Sequence, residues 1–165
     1  MKNVTLQKVT VNIGVGQGGQ ALENARELLT RLTERKPANT LSRTRNPTFG
    51  LRKGEAIGAK VTLRGKPATE FIKKALLARE QTIKTTSFDS TGNVSFGVPE
   101  YIDFPGMKYD PTIGIIGFDV CVTLSKPGAR VKHRKIASRA LPQKQRVTKD
   151  EAIAFMKQQF SVNLA

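Results

Sequence analysis

Residues 4–19 read VTLQKVTVNIGVGQGG and residues 59–64 read AKVTLR; the fold turns on these two stretches. In the first, Val9, Val11 and Ile13 alternate with Lys8, Thr10 and Asn12. A strand sends successive side chains to opposite faces, so this pattern predicts a half-buried strand with a polar, basic outer face. Val4 and Leu6 fall on the other parity, which leaves room for a bulge or a separate short segment before it. In the second stretch, Val61 and Leu63 alternate with Lys60, Thr62 and Arg64, giving a second strand of the same kind. Strands with one polar face belong to sheets open on one side, not to parallel sheets buried on both.

The intervening segments alternate between helix and turn. Ala21, Leu22, Ala25, Leu28, Leu29 and Leu32 recur at helical spacing, and Pro37 stops that helix. Residues 38–58 carry Pro47, Gly50, Gly54 and Gly58 among basic residues and read as an exposed loop or hairpin tip. Pro67 suits the first turn of a second helix, followed by Phe71, Ile72, Ala75 and Leu76. Residues 82–124 turn β-like, with short apolar runs at 94–98, 101–104 and 113–124 limited by Pro99, Pro105 and Pro111. Residues 126–147 form a basic arm of little periodicity. Thr148 and Glu151 are spaced as a capping box, opening a last helix whose apolar face is Ile153, Phe155, Met156 and Phe160. The chain therefore mixes strands, at least two of them with one polar face, with three helices and a basic arm. Residues 1–125 read as the main domain, with 126–165 as an arm and C-terminal helix packed on it.

Composition narrows the function. The chain has 165 residues, with 28 Lys plus Arg against 13 Asp plus Glu, a net charge of +15. Such an excess repels itself and points to a polyanionic partner. The charge is clustered: +10 over residues 35–84, −4 over 87–119 and +9 over 126–149. Each neutralised phosphate releases counterions, so nucleic acid explains the clusters better than a membrane, which would want a basic amphipathic helix with apolar aromatics. No stretch reaches the roughly 18 apolar residues of a membrane span. The N-terminal residues alternate and hold no continuous apolar region, so a signal peptide is not expected. One Cys rules out an internal disulfide framework and fits a reducing compartment.

Catalytic constellations are weak. Residues 14–19 fit G-x-G-x-x-G between a strand and a helix, with Glu34 twenty residues past Gly14. A dinucleotide site would next need a short loop and an apolar parallel strand. Instead Pro37 and a basic stretch follow, so a tight turn, with its N–H groups open to a phosphate, is the better reading. An enzyme using this loop on a nucleotide is the rival reading. Cys121 has no base beside it in sequence, and one His with one Cys falls short of a structural zinc set. No metal or cofactor is expected. The strand faces are hydroxyl- and amine-bearing but lack aromatics for base stacking, which favours structured RNA over single strands.

Several blocks also resemble a known family. LQKVTVNIGVG at 6–16, ERKP at 34–37, GLRKGEAIGAKVTLRG at 50–65, SFDSTGNVSFGV at 87–98 and EYIDFPGMKYD at 100–110 are similar to the ribosomal protein L-five family, the universal 5S-rRNA-binding proteins of the large ribosomal subunit. The basic arm resembles the archaeal or eukaryotic branch. The resemblance implies an α+β fold, an antiparallel sheet with helices packed on one face and the other face open for RNA, plus a basic arm, in a protein that anchors 5S rRNA beside the large-subunit rRNA in the central protuberance of a cytoplasmic ribosome. It implies a 5S rRNA face at Lys8, Thr10, Asn12, Arg35, Lys60, Thr62 and Arg64. Bacterial members carry Gln where this chain has Arg35, so an amide contact becomes a charged one. The loop holding Arg43, Arg45, Arg52 and Lys53 would approach the peptidyl-site tRNA. Ser87, Phe88, Asp89 and Asn93 would face a small-subunit head protein at an intersubunit bridge. Arg130, Lys132, His133, Arg134, Lys135 and Arg139 of the arm would meet rRNA. No membrane partner is implied, and the free protein is expected to be monomeric.

Overall fold

The alternating stretch at the N-terminus folds as one strand. In the computed structural model, which describes residues 3–165, β1 runs unbroken over Thr5–Gly14. Residues 1–2 of the expected 1–125 domain lie outside that range. Val9, Val11 and Ile13 are buried at 0%, 0% and 2% exposure. Leu6 shares the outward parity of Lys8 and is half-buried.

Helix α1 spans Gln20–Thr33 and buries Leu22, Ala25, Leu28, Leu29 and Leu32. Each large apolar side chain so buried contributes about 1.5–3 kcal/mol relative to exposure. The helix stops before Pro37: Glu34 adopts the left-handed conformation and its N–H donates to the Thr30 carbonyl. Segment 38–58, expected as loop, begins instead with a strand. β2 (Ala38–Leu41) pairs antiparallel with β3 (Ala56–Leu63), matching Ala38 to Lys60 and Thr40 to Gly58. Pairing supplies the order that local periodicity did not signal. Only 42–55 is the hairpin tip, closed by Ser42 N–H to Glu55 O at 2.8 Å and by a bridge between Asn46 and Leu51. α1 packs against β3.

Helix α2 (Lys66–Leu77) has Pro67 in its first turn and buries Ala68, Phe71, Ile72, Ala75 and Leu76. β4 (Thr82–Ile83), β5 (Asn93–Val98) and β6 (Phe118–Ser125) follow. The expected strand around 101–104 is a 3₁₀ turn, Tyr101–Asp103, between Pro99 and Pro105. The Tyr101 hydroxyl there accepts from the Asp110 N–H at 2.9 Å. The 113–124 run is strand only from Phe118, because Gly114 has a positive φ of 76° and breaks the extended path.

Residues 126–147 contain two short 3₁₀ turns, Ala129–Lys132 and Gln143–Gln145. Helix α3 covers Lys149–Phe160 with both halves of the Thr148–Glu151 capping box formed. Its buried face is Ala152, Met156 and Phe160, while Ile153 and Phe155 are half-buried. β7 (Asn163–Leu164) pairs in parallel with β4, too short a pair to read from sequence.

The main sheet has the order β2-β3-β1-β6-β5. With the three helices it makes an α+β fold. By contact density the chain divides into two units. One comprises the chain up to Val9, Arg64–Phe96 and Cys121–Ala165; the other comprises Thr10–Leu63 and Gly97–Val120.

Candidate nucleic-acid interface

In the second of these units, two expected strands prove to be neighbours: β3 lies beside β1 in the sheet. Val11, Ile13, Ala59, Val61 and Leu63 are all 4% exposed or less. The alternation therefore sends Thr10, Asn12, Lys60 and Thr62 outward; the first two are half-buried and the last two exposed. Arg35, from the turn after α1, joins Lys60 and Thr62 around a shallow cleft of about 460 Å³. Lys36 lines the same cleft. Sequence reading singled out Arg35 and passed over Lys36, although the two are adjacent in ERKP.

Close approach at the sheet's edge depends on Gly58. A Cβ there would meet the Ile13 carbonyl at 2.6 Å and the Thr40 hydroxyl at 2.8 Å. β1, β2 and β3 draw together where only hydrogen fits.

The glycine loop is already engaged. Val15 N–H and Gly16 N–H both donate to the Ile57 carbonyl, at 3.0 and 2.9 Å. These two amides are committed to the neighbouring strand and do not face an open phosphate site. With β1 in an antiparallel sheet, the nucleotide-enzyme reading of residues 14–19 loses its structural context.

Arg43, Arg45, Arg52 and Lys53 are exposed on the hairpin tip. A 3₁₀ turn at Pro47–Phe49, capped by the Asn46 side chain on Thr48 N–H at 3.2 Å, presents Phe49 at 73% exposure. The residue itself is visible in sequence, but its projection depends on the cap. In this unit Arg31 bonds Asp110 at 2.7 Å, and Asn24 Nδ2 donates to Thr112 O at 2.9 Å. Hydrogen bonds from Thr112 and then Arg31 hold the Asp110 carboxyl down to about 2.

In the first unit, Lys8 is half-buried and Arg64 exposed. Ser87 and Asn93 are half-buried, and Asp89 is exposed. Phe88 does not stand on the surface: it is 5% exposed and bridges to Val94. An aromatic at a turn's root is core, and its side chain is not placed to meet a partner. Asp89 gathers Thr91 Oγ1, Asn93 Nδ2 and the Ser90 N–H, and these bonds, Thr91's first, lower its carboxyl below the usual range. Arg130, Lys132, His133, Arg134, Lys135 and Arg139 are all exposed along the arm. Lys126 is different: only 10% of its side chain is exposed, and it pairs with Glu151 at 2.8 Å. That bond comes first among the causes that lower the Glu151 carboxyl.

Among the described residues the ion pairs are Arg26–Glu23, Arg31–Glu27, Arg31–Asp110 and Lys126–Glu151. The outward cations of β1, β3, the hairpin tip and the exposed part of the arm are in none of them. Among the described residues, no helix is long and apolar enough to cross a membrane, and no cluster of His, Cys, Asp and Glu could hold a metal.

Comparison with known proteins identifies the family. Residues 1–52 match the family described as ribosomal protein L5, and residues 56–155 match the C-terminal region described for the same ribosomal family. A Methanosphaera stadtmanae protein named large ribosomal subunit protein uL5 is 49% identical, over 99% of this chain and 98% of its own length. Proteins of the same name from Methanococcus maripaludis and Methanoregula boonei are 50% and 46% identical, over 99% of this chain and 92% and 99% of theirs. Two matched segments in order, and archaeal relatives aligned nearly end to end, place this chain in the ribosomal protein L5 family.

Proposed function

We propose that this protein is a non-enzymatic constituent of the large ribosomal subunit that holds 5S rRNA against the large-subunit rRNA. One observation carries the reading: neighbouring strands β1 and β3 turn hydroxyl, amide and cationic groups outward, with no acidic partner for the cations among the described residues. Phosphate contacts supply affinity and counterion release, while Asn12 and the threonines hydrogen-bond sugar and backbone oxygens. A folded RNA presents such groups at fixed spacing, which suits a rigid strand pair. In this reading Arg35 adds a charged contact at the cleft it shares with Lys60.

The hairpin tip, with Arg43, Arg45, Arg52 and Lys53, reaches the peptidyl-site tRNA. The turn around Ser87, Asp89 and Asn93 faces a basic protein of the small-subunit head, to which it offers the exposed Asp89 carboxylate. The exposed arm cations meet rRNA. The name shared by the relatives supports placement in the large subunit.

A hydroxyl-radical footprint of the purified protein on 5S rRNA tests the reading, with duplex DNA as competitor. A single protected patch that survives DNA competition is expected. Diffuse protection, with RNA and DNA both bound at the roughly 10⁻⁴–10⁻⁶ M of non-specific association, overturns it.

A further inference from the structure

Two hollows lead from the end of the strand face, at Lys8 and Arg64, to the arm, and both lie wholly within the unit that contains the arm. The first is a cleft of about 490 Å³ lined by Lys8, Arg64, Lys126, Arg130 and His133, with no acidic residue in its wall. Lys126 has Glu151, but Lys8, Arg64 and Arg130 are in no ion pair among the described residues. Gathering like charges is unfavourable, and an anion seated among them would relieve the repulsion.

The second hollow, about 290 Å³, shares Gln7, Ser125, Lys126, Ala129 and His133 with the first, so the two adjoin. Its chemistry is different. Besides the cations Lys132 and Arg146, Leu124, Leu141 and Val147 offer apolar surface, and Gln7, Asn93 and Thr123 offer amide and hydroxyl groups. Its volume is close to the lower end of the roughly 300–1,000 Å³ typical of small-ligand sites.

The walls are built before any ligand arrives. Gln145 Nε2 donates to Pro127 O at 2.6 Å, Ser138 Oγ to Lys132 O at 3.1 Å, and Arg139 N–H to Val131 O at 3.3 Å. Gly92 sits so close to Val147 that a Cβ would lie 2.6 Å from it.

We propose that the paired hollows hold one unpaired RNA nucleotide, its phosphate in the cationic cleft and its base in the adjoining cavity, with His133 at their boundary. The proposal rests on the RNA-binding reading and adds a nucleotide-sized site at the arm. A track for duplex phosphates has no use for a cavity with apolar walls and amide groups beside it. An unpaired base does, because its faces are apolar and its edges need amide or hydroxyl partners.

The test uses the isotope-labelled full chain, followed by amide chemical shifts. Inorganic phosphate and adenosine 3′,5′-bisphosphate are titrated separately, and selection of 5S rRNA over duplex DNA is measured in parallel. Phosphate should shift amides near Lys8, Arg64 and Arg130; the bisphosphate should also shift Asn93, Thr123 and Leu141. Arg130→Ala should weaken both probes about tenfold, as loss of one hydrogen bond to a charged group does. Ala140→Phe, at an exposed lining position, should remove only the base-dependent shifts. Bisphosphate shifts identical to those of phosphate, or spread evenly over the basic surface, overturn the site. Intact 5S rRNA selection without base-dependent shifts sinks this site alone. Base-dependent shifts without RNA selection support the site and sink the broader reading.

Discussion

Asp110 shows how single residues are set by their neighbours. Thr112 and Arg31 favour its charged form and hold its pKa near 2, below the ordinary 3.8. A depressed carboxylate stabilises the fold above its unfolded pKa, and that contribution disappears as pH falls through the folded one. The contacts of Asp110 with Thr112 and α1 should therefore persist at pH 4 and fade toward pH 2. Carboxyl NMR titration should place its midpoint near 2; a midpoint at the ordinary value would show that Arg31 and Thr112 do not engage it in solution. At the same scale, Gly58 has no room for a side chain between Ile13 and Thr40. Gly58→Ala should destabilise by about 1–3 kcal/mol in denaturant unfolding, the usual cost of forcing atoms into a packed site. Unchanged stability would mean that the three strands separate there at no cost.

Among the elements, α3 depends most visibly on its cap. Thr148→Ala should cost about 1 kcal/mol by chemical denaturation, through loss of the bond to the Glu151 N–H. A neutral result would indicate that the Lys126–Glu151 pair alone holds the helix start. That helix is readable from sequence because Thr148 and Glu151 are three apart and the motif is local. β1, β3, α1 and α2 are readable for the same reason: period 2 or 3.6 is written in neighbouring residues. β2 is not, since Ala38–Leu41 has no apolar alternation and becomes a strand only by pairing with β3. β7 and β4 are two residues each and find one another across the chain. The 3₁₀ turn at Tyr101 reads as strand because Tyr, Ile and Phe favour sheets in general, while the flanking prolines and the bond to Asp110 decide it here. Of the candidate site, Lys60 and Thr62 are legible from parity. Lys36 is not, because its place in the cleft comes from the turn after α1. Phe88 sits in a polar, turn-like stretch that suggests exposure, and only tertiary packing buries it.

For the whole molecule, the decisive quantity is where its charge is left unanswered. The +15 chain pairs acids with Arg26, Arg31 and Lys126, and leaves the cations of β1, β3, the hairpin tip and the exposed arm free of ion pairs among the described residues. A bound polyanion should stabilise it in proportion to its saturation, so its unfolding temperature should climb as 5S rRNA is added. No climb beyond that given by an equal charge of duplex DNA would count against a specific complex. The central claim is that the outward residues of β1 and β3, with Arg64 just past the end of β3, grip this RNA. It is tested most directly by 5S rRNA affinity across a salt series, for the wild type, Lys60→Ala, Arg64→Ala, and an Arg43→Ala/Arg45→Ala double variant. Lys60→Ala and Arg64→Ala should each weaken binding and reduce the salt slope by about one, while the hairpin-tip variant binds as the wild type does. Equal losses from the strand and hairpin-tip variants would contradict it.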